Sequence, residues 1–422
     1  MILIKNASYF IDNKLCKNDI LINGKKIIKI AKGIESLDYY TLIDASNFFL
    51  TPGLIDVHVH TREPGYEYKE DISSVSKAAL KGGVTTICSM ANLSPVPDNV
   101  ESFLKINQLI KEKSKIKIHQ MCAATKELTS DELVDFKALK EAGARFISND
   151  GYGIQNKITM KNIINEVKVN DLLISVHLET NSIKKDGMIQ KSKFSKINNI
   201  KHFSYKSEYK QLKRDIKLLK ENSCKYHVGH LTSAKTLRLI KKYKNKLNIT
   251  CEVNPNHLLL NVNNFQDNSG LYKINPPIRT LKDQKALLKG LKEGTIDCIA
   301  TDHAPHQNDE KFIEFKKANF GMIGIEFSFS ILYTKLVKNK IITLNKLVEL
   351  MHYNPNKIFN LKENSIAENQ IANLVLWNLN EKYYLDENTI VSKSKNTPFL
   401  GEELFGKNKY TIVEGNIKWK DD

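Results

Sequence analysis

The chain has 422 residues and a formal net charge of +17 at pH 7, from 64 Lys and Arg against 47 Asp and Glu. That length exceeds one typical domain and suits a single α/β barrel carrying an accessory domain. The basic residues are dispersed lysines, as in Lys241-Lys242-Tyr243-Lys244-Asn245-Lys246, so the charge reads as a solvated surface and neither a nucleic-acid nor a membrane partner is expected.

The first 49 residues carry short β signals at 2–4, 19–22 and 26–30, with Asn23-Gly24 as a hairpin turn, and no helical stretch. From residue 50 the texture changes. An apolar run over 50–55 reads as a buried strand ending in Asp56-Val57-His58-Val59-His60, and apolar strands then alternate with Lys/Glu-rich helical stretches at 85–89, 117–121, 145–148, 172–177, 224–228, 250–253 and 298–301. Eight strands spread over about 250 residues predict a closed (β/α)8 barrel. The basic stretch 183–210 reads as an exposed insertion between barrel elements. After about residue 364 the β texture returns in Ala372-Asn373-Leu374-Val375-Leu376-Trp377 and Tyr410-Thr411-Ile412-Val413. These segments are too few for a sheet of their own and are expected to pair with the N-terminal strands. The fold class is thus α/β: a (β/α)8 TIM barrel over 50–364, with a small β-sandwich domain built from 1–49 and 365–422.

Six cysteines (Cys16, Cys88, Cys122, Cys224, Cys251, Cys298) occur singly, most of them in apolar strand-like contexts, and read as reduced core thiols of a cytosolic protein. The N-terminus lacks a basic segment leading a long apolar one, and no apolar stretch reaches the roughly 18 residues of a membrane span. A soluble cytoplasmic protein is expected.

In a strand, residues two apart project from one face, so His58 and His60 point the same way. In a barrel the chemistry sits at the C-terminal ends of the strands. Reading those ends gives His58 and His60, then Asp150, His177, His230 and Asp302. Each has a plainer reading: a polar strand face for the histidine pair, a turn at Asp150-Gly151, a core histidine at His177, a helix N-cap at Asp302. Their coincidence at the same end of consecutive strands favours a metal site. Four imidazoles and two carboxylates suit Zn2+ or another first-row divalent ion, one or two per subunit, with two favoured because six side chains exceed one tetrahedron. A metal lowers the pKa of its bound water to about 7 and polarises a carbonyl, while a spare carboxylate shuttles the proton. These parts describe hydrolysis of an amide-like bond.

The segments Pro52-Gly53-Leu54-Ile55-Asp56-Val57-His58-Val59-His60-Thr61-Arg62-Glu63-Pro64-Gly65, Gly82-Gly83-Val84-Thr85-Thr86, Cys251-Glu252-Val253, Asn275-Pro276-Pro277-Ile278-Arg279, Ala300-Thr301-Asp302-His303-Ala304-Pro305-His306 and Ser394-Lys395-Asn396-Thr397-Pro398-Phe399 span most of the chain. Together they resemble the amidohydrolase superfamily and, within it, the bacterial type I dihydroorotases. The resemblance implies His58, His60 and Asp150 on a first ion, Asp150, His177 and His230 on a second, and Asp302 as the proton-transfer carboxylate nearest the first. Many members bridge the ions with a carboxylated lysine; here Asp150 stands in that place. On the substrate side it implies that Arg62, Asn92 and His306 hold a carboxylate, which the fork of an arginine suits. Asn275 and the Phe320-Gly321 backbone then contact the ring, with His60 beside it.

The implied reaction is the reversible hydrolysis of (S)-dihydroorotate to N-carbamoyl-L-aspartate by metal-bound hydroxide, a step of de novo pyrimidine (UMP) synthesis. Asp302 would pass the proton to the departing ring nitrogen. A small-molecule substrate follows, and the resemblance is compatible with a homodimer and with an aspartate transcarbamoylase partner. Several positions depart from the family pattern: Asn149 precedes Asp150 where an aspartate is usual, Ala91 and Asn256 replace a proline and a histidine, and Asn319 and Asn373 stand for Pro and Asp. None removes a ligand or an anchor. Two alternatives remain: another cyclic amidohydrolase of the hydantoinase, dihydropyrimidinase or allantoinase kind, and a non-catalytic homologue that scaffolds aspartate transcarbamoylase. Arg62, Asn92, His306 and Asp150 argue against the hydantoinase and dihydropyrimidinase readings, and the complete ligand set argues against the scaffold.

Overall fold

The computed structural model describes residues 1–11, 14–265, 267–363 and 365–421. Eight strands form the barrel: Leu54–Val59, Val84–Ser89, Lys117–Gln120, Phe146–Ser148, Leu173–Val176, Lys225–Val228, Ile249–Val253 and Cys298–Ile299. The first three hydrogen-bond side by side, as do the last five, and every pairing is parallel. Parallel bridges from Cys122 to Ile147 and from Val59 to His303 join the two sets at both seams, so the barrel closes. The Leu54–Val59 and Val84–Ser89 strands are buried throughout, as parallel strands covered on both faces require. The helix Ile72–Lys81 shows how the covering layer is set. Asp71 caps it by accepting from the Ser74 N–H, and Ile72, Val75, Ala78 and Ala79 recur at helical spacing on the buried face.

The seven strands expected after the first lie within two residues of the observed ones. The first differs. The apolar run from residue 50 is divided at Gly53: Phe49–Pro52 pairs antiparallel with Leu374–Tyr384, and the barrel strand begins only at Leu54. A Cβ at Gly53 would lie 2.1 Å from Thr85 Oγ1, so the chain passes from one unit to the other where only glycine fits. Residues 50–52, assigned to the barrel from sequence, therefore belong with the small β domain. The expected far end of the barrel, residue 364, lies outside the described residues.

Both chain ends build that domain. Ile2–Ile11, Lys14–Asn23, Lys26–Ala31, Thr41–Asp44 and Phe49–Pro52 join Leu374–Tyr384, Glu403–Val413 and Asn416–Lys420 in one hydrogen-bonded set. Its core contains Ile4, Tyr9, Ile20, Ile22, Leu50, Leu374, Leu376 and Ile412. The first strand outruns its sequence signal because the register slips between Ile4 and Ala7, after which pairing resumes to Ile11. Trp377 fastens the domain to the barrel: its Nε1 is fixed within the domain by donating to Thr51 Oγ1 at 2.9 Å, and its ring stacks on Phe329 of the barrel unit with centroids 3.8 Å apart. The 183–210 stretch is not uniformly exposed. Ile189 and Ile200 are buried against Phe315, while other residues of the stretch face solvent. Among the described residues no helix is long and apolar enough to cross a membrane.

Asp56 ties the first barrel strand to the last. Its carboxylate accepts from Thr301 N at 3.0 Å, from the Thr301 hydroxyl and from His58 N at 3.2 Å, and burial pushes its pKa up to about 6. Asp56→Ala strands these donors in a buried seam. It is expected to cost about 3 kcal/mol, read as a lower urea midpoint, with Asp56→Asn costing less because an amide oxygen still accepts.

Candidate metal and substrate site

The strand ends bring the six residues together. His58 belongs to the Leu54–Val59 strand and His60 follows it; Asp150, His177, His230 and Asp302 lie just past the strands that precede them. Arg62, His230 and Asp302 have φ of 64°, 28° and 53°, in the left-handed region that side chains other than glycine rarely adopt. Each such residue costs of order 1–3 kcal/mol and persists where the surroundings over-determine it, which is typical of functional sites.

The tautomers follow from what stands behind each ring. His58 Nδ1 lies 2.5 Å from Glu252 Oε1, and a carboxylate only accepts, so the proton is on Nδ1. The other nitrogen, Nε2, is buried without a hydrogen-bond partner and faces Asp150 Oδ1 at 3.3 Å and Asp302 Oδ1 at 3.7 Å. His177 repeats the pattern turned over: Nε2 donates to Glu179 Oε2 at 3.2 Å, leaving Nδ1 toward His230 Nε2 at 2.9 Å and Asp150 Oδ1 at 3.6 Å. His60 Nδ1 donates to Asn92 Oδ1 at 2.9 Å, and its Nε2 stands 3.1 Å from Asp302 Oδ1. His230 Nε2 is 3.1 Å from Asp150 Oδ1.

Imidazole lone pairs and two carboxylates thus meet in a buried space. Such a set repels itself unless positive charge sits within it, and nitrogen with oxygen donors fits a first-row divalent ion. Two triplets have ligand atoms within 4.8 Å of one another: His58, His60 and Asp302, and His58, Asp150 and His230. The electrostatics agree. Burial alone would lower His58, but Asp150 and Glu252 outweigh it and hold it well above the ordinary imidazole value; burial would raise Asp150, but His58 and its imidazole neighbours hold it well below the carboxylate range. A third triplet, His227, Glu252 and Cys298, meets the same distance test. There His227 is held by Thr250 Oγ1 at 2.8 Å and Glu252 Oε2 at 3.1 Å, and burial raises the Cys298 thiol well above its usual range, so this cluster reads as packing beneath the site.

Beside the cluster lies a cavity of ≈ 460 Å³. His60, Arg62, Asn92, Asn275, His306, Phe320 and Gly321 all line it, together with Asp150 and Asp302. Arg62 Nε donates to Pro305 O at 3.2 Å, and its Nη2 lies 3.3 Å from His306 Nε2. Gly321 has φ 153°, and a Cβ there would meet Ala304 O at 2.6 Å and His306 at 2.8 Å. Asn275 Nδ2 donates to Glu179 Oε2 at 3.0 Å, while its buried Oδ1 has no partner in the fold and remains an open acceptor. Asn149, one of the departures from the family pattern, is fully used: it donates to Thr125 Oγ1 at 2.7 Å and Leu128 O at 2.9 Å, and accepts from Ala124 N at 2.7 Å. A neutral side chain suits that triple role.

Sequence reading missed the supports. Glu179 carried a usable signal, since it stands two residues past His177 just as His60 stands two past His58. Glu252 is a carboxylate within the Ile249–Val253 strand, a placement that requires a buried partner. Lys69 and Glu310 had none.

Residues 49–418 match the amidohydrolase family. Over 424 aligned positions the chain is 41% identical to a dihydroorotase of Staphylococcus aureus (strain N315), with 100% of both chains covered. It is 40% identical to a dihydroorotase of Lactobacillus leichmannii over 422 positions, covering 99% of this chain and 98% of the relative. Among solved structures it resembles an L-hydantoinase (dihydropyrimidinase) from Arthrobacter aurescens at TM-score 0.89 and 22% identity, covering 99% of this chain and 96% of that one. A D-hydantoinase (dihydropyrimidinase) from Thermus sp. superposes at TM-score 0.85 and 23% identity, covering 100% and 96%. At such identities these two speak for the fold alone. The chain belongs to the amidohydrolase family, whose members are typically metal-dependent. Within it, the relatives matched at about 40% identity along their whole length are dihydroorotases.

Because Glu252 fixes the His58 tautomer, Glu252→Ala is expected to lower the affinity of the cluster for Zn2+ by about 10–100-fold, measured by equilibrium dialysis with far-UV dichroism unchanged.

Proposed function

We infer that this protein is a dihydroorotase, catalysing the reversible hydrolysis of (S)-dihydroorotate to N-carbamoyl-L-aspartate. One observation carries the reading: the buried cluster of imidazole lone pairs and carboxylates opens on the same cavity as the paired donors Arg62 and His306. The full-length identity to dihydroorotases supports it.

His58, His60 and Asp150 would hold one divalent ion and Asp150, His177 and His230 a second, with Asp150 as the bridge and Zn2+ as the ion. Bound there, such ions supply a Lewis acid for a carbonyl and bring the pKa of a water to about 7. The remaining work falls to side chains. Arg62 and His306 donate to the substrate carboxylate. Asn92, whose oxygen is taken by His60, is left with its NH2 group for the same anion. The open acceptor Asn275 Oδ1 takes a ring N–H, and Phe320-Gly321 closes the ring's edge. Asp302, next to His60 and lining the cavity, accepts a proton from the attacking water and delivers it to the departing ring nitrogen. In ring closure it takes the proton back. A place in pyrimidine synthesis, a cytoplasmic setting, a homodimer and association with an aspartate transcarbamoylase belong to the same reading.

Metal-loaded protein is expected to open dihydroorotate and to form it from carbamoyl aspartate. Opening of hydantoin or allantoin with dihydroorotate left untouched would overturn the reading. Asp302→Asn is expected to keep its metal and lose about 10²–10⁴-fold in turnover. Arg62→Ala should instead raise KM by roughly 10–100-fold, the loss of a charged hydrogen bond; equal metal loss in both variants contradicts this division of roles.

A further inference from the structure

We propose that Lys69 is a positioning residue that holds His306 in the tautomer protonated on Nε2, and so makes it a donor to the substrate carboxylate. The proposal deepens the reading of His306 given above and rests on it. Lys69 is buried in the loop after the first barrel strand, with its Nζ 3.1 Å from His306 Nδ1 and 2.8 Å from Glu310 Oε1. An ammonium has three donors and no acceptor, so beside it Nδ1 must accept. Across the ring, Nε2 lies 2.9 Å from Phe320 O, a carbonyl that only accepts. Both contacts require the proton on Nε2.

Two longer contacts pull the other way. Glu310 Oε2 is 3.3 Å from Nδ1 and would draw the proton there, and Arg62 Nη2 at 3.3 Å would donate to a bare Nε2. Lys69 settles the competition, because it pairs with Glu310 and supplies its own N–H to Nδ1 at the shorter distance. Arg62 Nη2 and His306 Nε2 then lie side by side on the cavity wall as two donors; the single Nε2–H rests on Phe320 O and is shared with a carboxylate that docks against Arg62. The charged groups facing the ring are Arg62 and Lys69 from this loop and Glu310 and Lys311 from the Asn308–Lys311 turn; burial with the three cations pushes His306 down to about 2, so the ring is neutral. The backbone of His306 is fixed separately, its N–H donating to Asn396 Oδ1 at 3.1 Å. Lys69 therefore governs the proton's position rather than the ring's place in the fold.

The test uses metal-loaded protein carrying 15N-labelled histidine, with His306 assigned through a His306→Asn variant. The ring shifts should report the Nε2–H form in the wild type and the Nδ1–H form in Lys69→Met. With dihydroorotate, Lys69→Met should raise KM about tenfold with kcat within about threefold. Lys69→Arg, which keeps the donors, should restore most of the lost affinity, as should the double variant Lys69→Met/Glu310→Gln, whose amide can donate to Nδ1. A wild-type ring protonated on Nδ1, or a Lys69→Met variant with tautomer and KM unchanged, overturns the proposal. Should wild-type protein fail to turn over dihydroorotate while the tautomer still follows residue 69, the functional reading fails and the hold of Lys69 on His306 stands.

Discussion

The structure depends on one constraint: imidazole lone pairs and two carboxylates are turned toward a common buried point where they cannot rest without positive charge. That convergence is imposed from behind. Glu252 and Glu179 take the outward protons of His58 and His177, and the Asn92 amide takes that of His60, so the inward nitrogen of each of these three rings carries a free lone pair. A cation there relieves all of these repulsions at once. The six residues sit where a parallel barrel presents its strand ends, and Asp56 locks the first of those strands to the last.

The second organising feature is how closely Arg62, Asn92 and His306, the proposed anchors of a substrate carboxylate, adjoin this negative centre. Arg62 stands two residues past His60, with a left-handed backbone that swings its guanidinium across to His306. Asn92 belongs to both sides, with its oxygen on a metal-side histidine and its NH2 group on the cavity. Fold likeness cannot distinguish a dihydroorotase from the hydantoinases that share this architecture. On the proposed function the distinction lies in the chemistry of the wall, where Arg62, His306 and the Asn92 amide would be matched to a carboxylate. Lys69 extends that wall inward, as a cation that acts through a neighbour.

Much of this was legible in the residues. Strand ends fall at apolar-to-polar transitions, so the barrel and its six candidate ligands follow from pattern alone. The junction at Gly53 was not legible, because the apolar run 50–55 has no break in hydrophobicity; the division comes from a close approach to Thr85 that only packing shows. The insertion, expected to be exposed, buries Ile189 and Ile200 as well; that was not legible because its apolar residues are scattered among lysines, and their partner Phe315 is far along the chain. The supports of the site were hidden for the same reason: Glu252 reaches His58 and Lys69 reaches Glu310 across sequence separations that no local periodicity encodes.

The central claim is that the convergent strand-end cluster holds the metal. An anomalous-difference map from crystals of the Zn2+-loaded protein tests it most directly. Peaks are expected about 2.0–2.3 Å from ligand atoms of His58, His60, Asp150, His177 and His230. A map with no peak there, or with density confined to His227, Glu252 and Cys298, would contradict it.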